Sequence, residues 1–432
     1  MNNHYLNNCL CCLSENKSLL NLGNIPLAND FNAFKQSETY PLELMVCPNC
    51  YHCQLHFIVN PEILFKNYKY VSGTSQTGLD FFKQNAKFIN ENYLKGTNSS
   101  ISKGTNSSIS KGTNSSISKG TNSSISKGTN SSISKGNVLD IACNDGSQLD
   151  YFKELGWNTY GVDPAINLQP ISSKKGHTII CDFWNETIAK QLPKMDVIIA
   201  QNVFAHTEHI DAFLQACKII MSDNSTLFIQ TSQKNMIINS EFDTIYHEHI
   251  SFFNTKSMDI LVSRNGLVLN RILEATIHGT SYIFEIKLNK NEFYNIHEHI
   301  IKETEIGLYS DSLYNTFKLN ANKIVNSLKT EIEKYNSLGY KCIGFGAAAK
   351  AQTILCYGNI NLEYIIDENP LKIGLYSPKM NIPIVDIDYF KNDNTEKILI
   401  IILAWNFADE IINKIKFKNV VKLSYFPEIK YF

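Results

Sequence analysis

The sequence predicts an α/β protein in three parts: a small cysteine-bearing lobe, a Rossmann-like sheet, and a second, smaller α/β lobe. Three observations carry that reading. Residues 137–163 run strand, tight turn, helix, strand and acid, the order that builds a nucleotide-binding βαβ unit. Residues 341–367 repeat the order, from Lys341-Cys-Ile-Gly344-Phe-Gly346 to a strand ending at Asp367. Two Cys-x-x-Cys pairs precede both units.

Bulk properties narrow the function. A chain of 432 residues has room for about three domains. The net charge of −1 leaves no basic field, so no nucleic-acid partner is expected. The N-terminus lacks a basic and apolar leader, and no apolar run reaches membrane-spanning length. A cytoplasmic protein without membrane contact is therefore expected. Its 11 cysteines should stay reduced, as core residues or metal ligands.

Cys9, Cys12, Cys47 and Cys50 form the two pairs, and paired knuckles suit tetrahedral zinc because each turn offers two thiolates to one ion. Cys11 and Cys53 are spares. The zinc would be structural, holding a lobe too small for a large apolar core. Leu22 to Phe31 is expected as a turn-rich connector. Tyr68, Tyr70 and the following Ser-Gly-Thr-Ser suggest a loop that meets a ligand, and Gly78 to Leu94 a helix with an apolar stripe. Residues 95–134 are five copies of Lys-Gly-Thr-Asn-Ser-Ser-Ile-Ser. One isoleucine per copy cannot build a core, so a flexible linker over 95–136 is expected.

The strand Val138–Ile141 then delivers Asp140, Asn144, Asp145 and Gly146 to a turn, and the next strand ends at Asp163, placed to accept from ribose hydroxyls. Glycine is too sparse here for a dinucleotide fingerprint. S-adenosylmethionine (SAM), which has no pyrophosphate to cradle, fits better. Asp182 and Phe183 follow the third strand, where an acid can reach the adenine amine and a ring can cover the base. The fourth strand ends at Asn202 and His206, the latter reading equally as a structural histidine. The fifth, Thr226–Ser232, leads into Glu241–Phe253, where Tyr246, Glu248 and His249 crowd together. Such side chains move protons or hold a base in position. His247-Glu-His249 lacks the i, i+4 spacing of a helical zinc motif. Leu267–Leu288 reads as a closing hairpin and 297–337 as helical. In the last lobe Gly344 and Gly346 would let backbone approach a phosphate, with Lys350 in the next helical turn; the same pattern also makes a turn without a ligand.

These features together resemble the nucleotide-sugar C-methyltransferases. The likeness rests on the two cysteine knuckles, Pro26–Phe31, Tyr70–Ser75, Val138–Gly146, Tyr246–His249, Gly344–Lys350 and Trp405-Asn406, in that order. The repeats have no counterpart in the family. The resemblance implies a zinc-binding domain at 1–75, a class I SAM-dependent methyltransferase domain at 76–290, and a C-terminal Rossmann-like domain at 291–432. It implies SAM and structural Zn2+ as cofactors and a nucleotide-linked 4-keto-deoxysugar as substrate, methylated at the carbon beside the ketone by a monomer. A C–H beside a ketone is a weak acid, so such an enzyme needs a nearby base and a way to hold the enolate. By resemblance His249 is the base and Glu248 orients or charges it, while Tyr246 and His206 bond the keto oxygen. Tyr68 or Tyr70 would cover the sugar, Lys350 and Asn406 would meet the substrate, and the zinc lobe would act as a lid. O- or N-methylation of a sugar nucleotide is the alternative on the same scaffold.

Overall fold

The structure is a computed structural model that describes residues 2–33, 36–66, 68, 71–74, 76–92, 135–231, 235–275, 281–289, 296–416 and 420–432. Tyr70, nearly all of the expected linker at 95–136, and residues 278–280 of the closing hairpin lie outside that set.

The N-terminal lobe is a four-stranded antiparallel sheet in the order Ser251–Phe252, Cys53–Leu55, Thr39–Val46, Lys17–Pro26. The expected connector at Leu22–Phe31 is not one: its first half completes the ten-residue strand Lys17–Pro26. The turn signal Asn21-Leu-Gly23 makes a bulge inside the strand. Asn21 Oδ1 accepts from Gly23 N (2.8 Å), and the register shifts between Asn21 and Asn24.

The central sheet has seven strands in the order Val268–Ala275, Ser281–Lys287, Thr226–Thr231, Val197–Gln201, Asn137–Ile141, Asn158–Val162, Thr178–Ile180. The last five are parallel and the first two form the antiparallel hairpin. Covered on both faces, the strand Val197–Gln201 reads as an unbroken apolar run through Ala200. Asn137–Ile141 pairs with both Asn158–Val162 and Val197–Gln201, so the strand order reverses there. A crevice opens at the carboxyl ends beside that reversal.

The C-terminal lobe carries six strands in the order Ile384–Val385, Ile365–Ile366, Lys341–Phe345, Ile398–Ile402, Val421–Ser424, Lys430–Tyr431, parallel except for the last. The 27-residue helix Asp311–Ser337 leads into it, burying Tyr314, Phe317, Ala321, Ile324, Leu328 and Ile332 at three- and four-residue spacing. That stripe joins one continuous apolar core running from Leu42 and Leu44 of the N-terminal sheet to Leu355 and Leu399 of the C-terminal lobe. The cysteine knuckles belong to the other large core, with the central sheet. The two end lobes are thus built into the molecule, and no helix of the described residues is long and apolar enough to cross a membrane.

Candidate active site and metal centre

The cofactor turn is built from three left-handed residues, Ala142 (φ 63°), Asn144 (φ 51°) and Gly146 (φ 77°). Asparagine tolerates that region, which is how the turn closes with one glycine. Asp163 locks it: Oδ2 accepts from Asn144 N and Oδ1 from Ala165 N, both at 2.8 Å. The N-terminal segment lies across the turn, with Ser72 N donating to Asn144 Oδ1 (2.9 Å) and Gly73 N to Asp145 Oδ2 (3.2 Å).

Next to the turn is a cavity of about 840 Å³. Asp140, Asn144, Asp163, Phe183 and Asn202 line it. Asp145 and Gly146 instead build the turn, and Asp145 also accepts from the Ser147 hydroxyl (2.8 Å). Asp182 is exposed, its carboxylate accepting from Phe183 N (2.7 Å). The structure thus brings five of the eight expected cofactor residues to one wall. Burial raises the Asp140 carboxyl well above the usual carboxylate range, and the charges of Asp163 and Asp145 push it further. Burial raises Asp163 too. A cationic ligand offsets such crowding of acids. Asn202 Oδ1, Gln230 Oε1 and both amide atoms of Gln148 are buried without a hydrogen-bond partner, on residues that line this cavity. Orphaned polar atoms beside a cavity, with an acidic wall, fit a polar cationic cofactor such as SAM.

Tyr246, Glu248 and His249 also line the cavity, from a turn that is neither strand nor helix. His249 Nδ1 lies 2.8 Å from the carbonyl of Thr244, and its Nε2 lies 2.8 Å from the Tyr246 hydroxyl. A carbonyl only accepts, so Nδ1 carries the hydrogen and Nε2 holds a lone pair toward Tyr246. The Thr244 carbonyl thus holds the Nδ1 side of the ring. Glu248 is buried and accepts from Asn29 Nδ2 (2.6 Å) and the Tyr68 hydroxyl (3.1 Å). Burial raises its carboxyl, while those two donors and Lys372 oppose the rise. His206 packs its ring 5.1 Å from that of His249 and stacks on Phe65. Burial pushes it down to about 4, so it is neutral near pH 7. His247 points away, with Nε2 3.3 Å from the Pro41 carbonyl.

Lys350, Lys372 and Asn406 close the third wall. Lys350 lies over Trp405, 4.1 Å from the ring centroid, and Lys372 donates to the Ala347 carbonyl (2.7 Å) while covering Phe31. The glycines of the C-terminal loop serve packing. A Cβ on Gly344 would stand 2.6 Å from Leu403 Cδ1, and one on Gly346 2.7 Å from Ala404 Cβ. The next backbone N–H, of Ala347, bonds Asp367 Oδ2 (2.7 Å). Asn29, Thr244 and Lys372 were not singled out in the sequence. Asn29 and Thr244 carried a signal only through their places in the Pro26–Phe31 and Glu241–Phe253 segments, and Lys372 carried none.

The sulfurs of Cys9, Cys12, Cys47 and Cys50 all lie within 4.8 Å of one another, with Cys9–Cys50 at 3.6 Å and Cys12–Cys47 at 3.3 Å. Tetrahedral zinc with Zn–S near 2.3 Å needs sulfurs about 3.8 Å apart, so the cluster fits one ion. Each knuckle ends on a left-handed residue, Leu13 (φ 66°) and Tyr51 (φ 56°), whose N–H returns to the first cysteine's carbonyl at 2.9 Å. The cluster is fastened to the central domain. Asn254 donates to the Cys50 and Tyr51 carbonyls, Lys256 to Asn49 and Arg264 to Leu10. These bonds tie both knuckles to the helix Thr255–Arg264 and its cap residue Asn254.

A SAM-type cofactor wall beside a shielded imidazole defines a SAM-dependent methyltransferase. Comparison with known proteins then gives the branch. Residues 124–271 match a family described as a methyltransferase domain, 276–422 the C-methyltransferase C-terminal domain, and 9–65 a zinc binding domain. The three matches follow one another along the chain, in the order zinc binding domain, methyltransferase domain and C-methyltransferase C-terminal domain. C-methyltransferase NovU of Streptomyces niveus is 23% identical over 413 residues, 92% of this chain and 89% of that protein. The ubiquinone biosynthesis O-methyltransferase of Bradyrhizobium sp. is 30% identical over 103 residues, covering 23% of this chain and 40% of its own. Among solved structures, the SAM-bound magnesium protoporphyrin IX methyltransferase of Synechocystis PCC 6803 matches 35% of this chain and 69% of its own at 17% identity and a TM-score of 0.28. The plantazolicin methyltransferase BpumL matches 36% and 77% at 16% identity and a TM-score of 0.30.

Proposed function

We propose that the protein methylates a carbon beside the ketone of a nucleotide-linked 4-keto-deoxysugar, acting as a cytoplasmic monomer. The observation that carries the reading is the pairing of His249 with Tyr246 in a cavity whose opposite wall holds two lysines. SAM, bound along Asp140, Asn144, Asp163, Phe183 and Asn202, supplies the methyl group as an electrophile. The C-terminal wall would take the nucleotide part of the substrate, with Lys350 and Lys372 facing the diphosphate and Asn406 beside them.

In this reading His249 Nε2 takes the α-proton, its ring held by the Thr244 carbonyl. The Tyr246 hydroxyl first turns from Nε2 to the keto oxygen of the substrate, which frees the one lone pair on Nε2 for the α-proton. It then donates to the enolate oxygen as charge develops there. His206, neutral, is the second donor to that oxygen. Tyr68 covers the sugar while holding Glu248. Glu248 and His249 are buried and Tyr246, His206 and Tyr68 half-buried, which limits the water that reaches the enolate.

The test is incubation with SAM and a panel of nucleotide 4-keto sugars, with mass and proton spectra of the products. A new C–CH3 signal beside the carbonyl is expected. A methyl ether, a methylamine or no product overturns the reading.

A further inference from the structure

The hydrogen bond that fixes the His249 tautomer depends on where the Thr244 carbonyl points, and both neighbours of Thr244 are held by the C-terminal lobe. Asp243, fully buried, receives the Trp405 indole N–H and the Tyr425 hydroxyl on the same oxygen, Oδ2, each at 2.7 Å. On the other side the Thr353 hydroxyl donates to the Ile245 carbonyl (2.9 Å). These donors come from three places in the second lobe: the end of strand Ile398–Ile402, the end of strand Val421–Ser424, and the helix Ala349–Gly358. None of the three side chains touches His249 in these bonds. The indole is itself held between two groups, the Lys350 ammonium on its ring at 4.1 Å and Phe426 stacked at 4.2 Å.

We propose that Asp243, with Trp405, Tyr425 and Thr353, forms a positioning clamp by which the C-terminal lobe sets the tautomer and aim of His249. The clamp rests on the reading of His249 as the base. A buried carboxylate with two donors on one oxygen is rigid, because leaving either donor unpaired in an apolar setting is costly. The stretch 243–245 cannot shift without breaking bonds at both ends. The second lobe thus does more than wall the cavity: it holds the ring nitrogen from behind.

Tyr425→Phe and Thr353→Val each remove one donor and keep the shape, while Trp405→Phe removes the indole N–H and part of the ring. By analogy with partners that orient metal-bound histidines, a drop in kcat of about 10–100-fold is expected of the Trp405→Phe/Thr353→Val double variant. Its melting temperature should fall, because buried acceptors on Asp243 and Ile245 lose a donor, while KM for SAM should stay near the parent's and the acid limb of the kcat pH profile should move. Two readouts separate this claim from the function reading. Solvent-deuterium exchange of the substrate α-hydrogen by the parent tests the function; if the parent does not exchange, that reading falls. The 15N resonances of His249, assigned by difference from His249→Asn, test the clamp without substrate. Loss of the pure Nδ1–H signature in the double variant is expected. An unchanged tautomer signal overturns the clamp whatever the activity.

Discussion

The central and C-terminal sheets carry the same lock and use it differently. In the central sheet Asp163 ties down the turn by accepting from Asn144 N and Ala165 N. In the C-terminal sheet Asp367 does the same, accepting from Ala347 N (2.7 Å) and Asn369 N (2.8 Å). Each acid ends a strand next to the first strand of its lobe and closes the loop after that strand. Asp163 lines the cavity, whereas Asp367 does not. Around Asp367 the loop is packed at Gly346 by Ala404 and at the Ala347 carbonyl by Lys372, and only its far end, Ala348–Lys350, reaches the cavity. The same lock therefore presents different parts of its loop to the cavity in the two lobes: the locked turn itself in the central sheet, the start of the following helix in the C-terminal one.

The strongest way to sharpen the contrast is to remove one working side chain from each wall. His249→Ala should lose on the order of 10²–10⁴ in turnover, the range for a positioned base, with SAM affinity retained. Lys350→Ala should instead raise KM for the sugar nucleotide and leave the exchange rate at saturation near the parent's. Equal effects of the two on kcat would erase the division of labour.

A direct attack on the paired locks comes next. Asp163→Ala should weaken SAM by roughly 1–3 kcal/mol in calorimetry. Asp367→Ala should leave that affinity alone and cost a similar amount of stability in denaturant unfolding. Loss of SAM affinity from Asp367→Ala would show that the locks are not independent.

The acid response should also be one-sided. No histidine follows His299, so the C-terminal lobe contributes none. Burial holds His206 and His247 down to about 4, while the unfolded chain takes these protons near pH 6.5. Below pH 6.5 the unfolded state binds more protons at these two sites, so their contribution to stability is lost as pH falls, fully by about pH 4, while the raised carboxyls of Asp140, Asp163 and Glu248 act in the opposite sense. Each histidine contributes up to roughly 3 kcal/mol across that window. Urea unfolding at pH 7 and pH 5 reads the slope, and a flat profile would remove both histidines from the account.

The smallest effect compares two glycines. A Cβ on Gly73 would overlap Asp145 Oδ2 and Ser147 Oγ on the cofactor turn, while one on Gly346 would meet Ala404 at a left-handed φ of 95°. Gly73→Ala should lower SAM affinity about tenfold, near 1.4 kcal/mol. Gly346→Ala should cost about 1–3 kcal/mol of stability and no SAM affinity.

The strand–turn–helix order of both sheets was legible because period and turn chemistry are local. So were the four metal-binding cysteines and the crowding of Tyr246, Glu248 and His249. Less legible was what each group bonds. Asn29 meets Glu248 across 219 positions and Asp243 meets Trp405 across 162, distances over which no local pattern reports. Gly344 and Gly346 look like phosphate-loop glycines in sequence, yet side chains from another strand fill the space they leave. The Leu22–Pro26 turn signal was real but produced a bulge, since Leu22 and Ile25 still find the core.

The strand Ser251–Phe252 joins the N-terminal sheet only two residues after His249, while Asp243 is held by the C-terminal lobe six residues before it. A protein engineer would find no seam here. Hybrids that take the front of one enzyme and the back of another must cut through, or mismatch, the ten residues that hold the proton acceptor. Exchange of sugar preference between relatives should therefore come through scattered substitutions on the cavity walls, while grafted lobes yield folded but idle proteins.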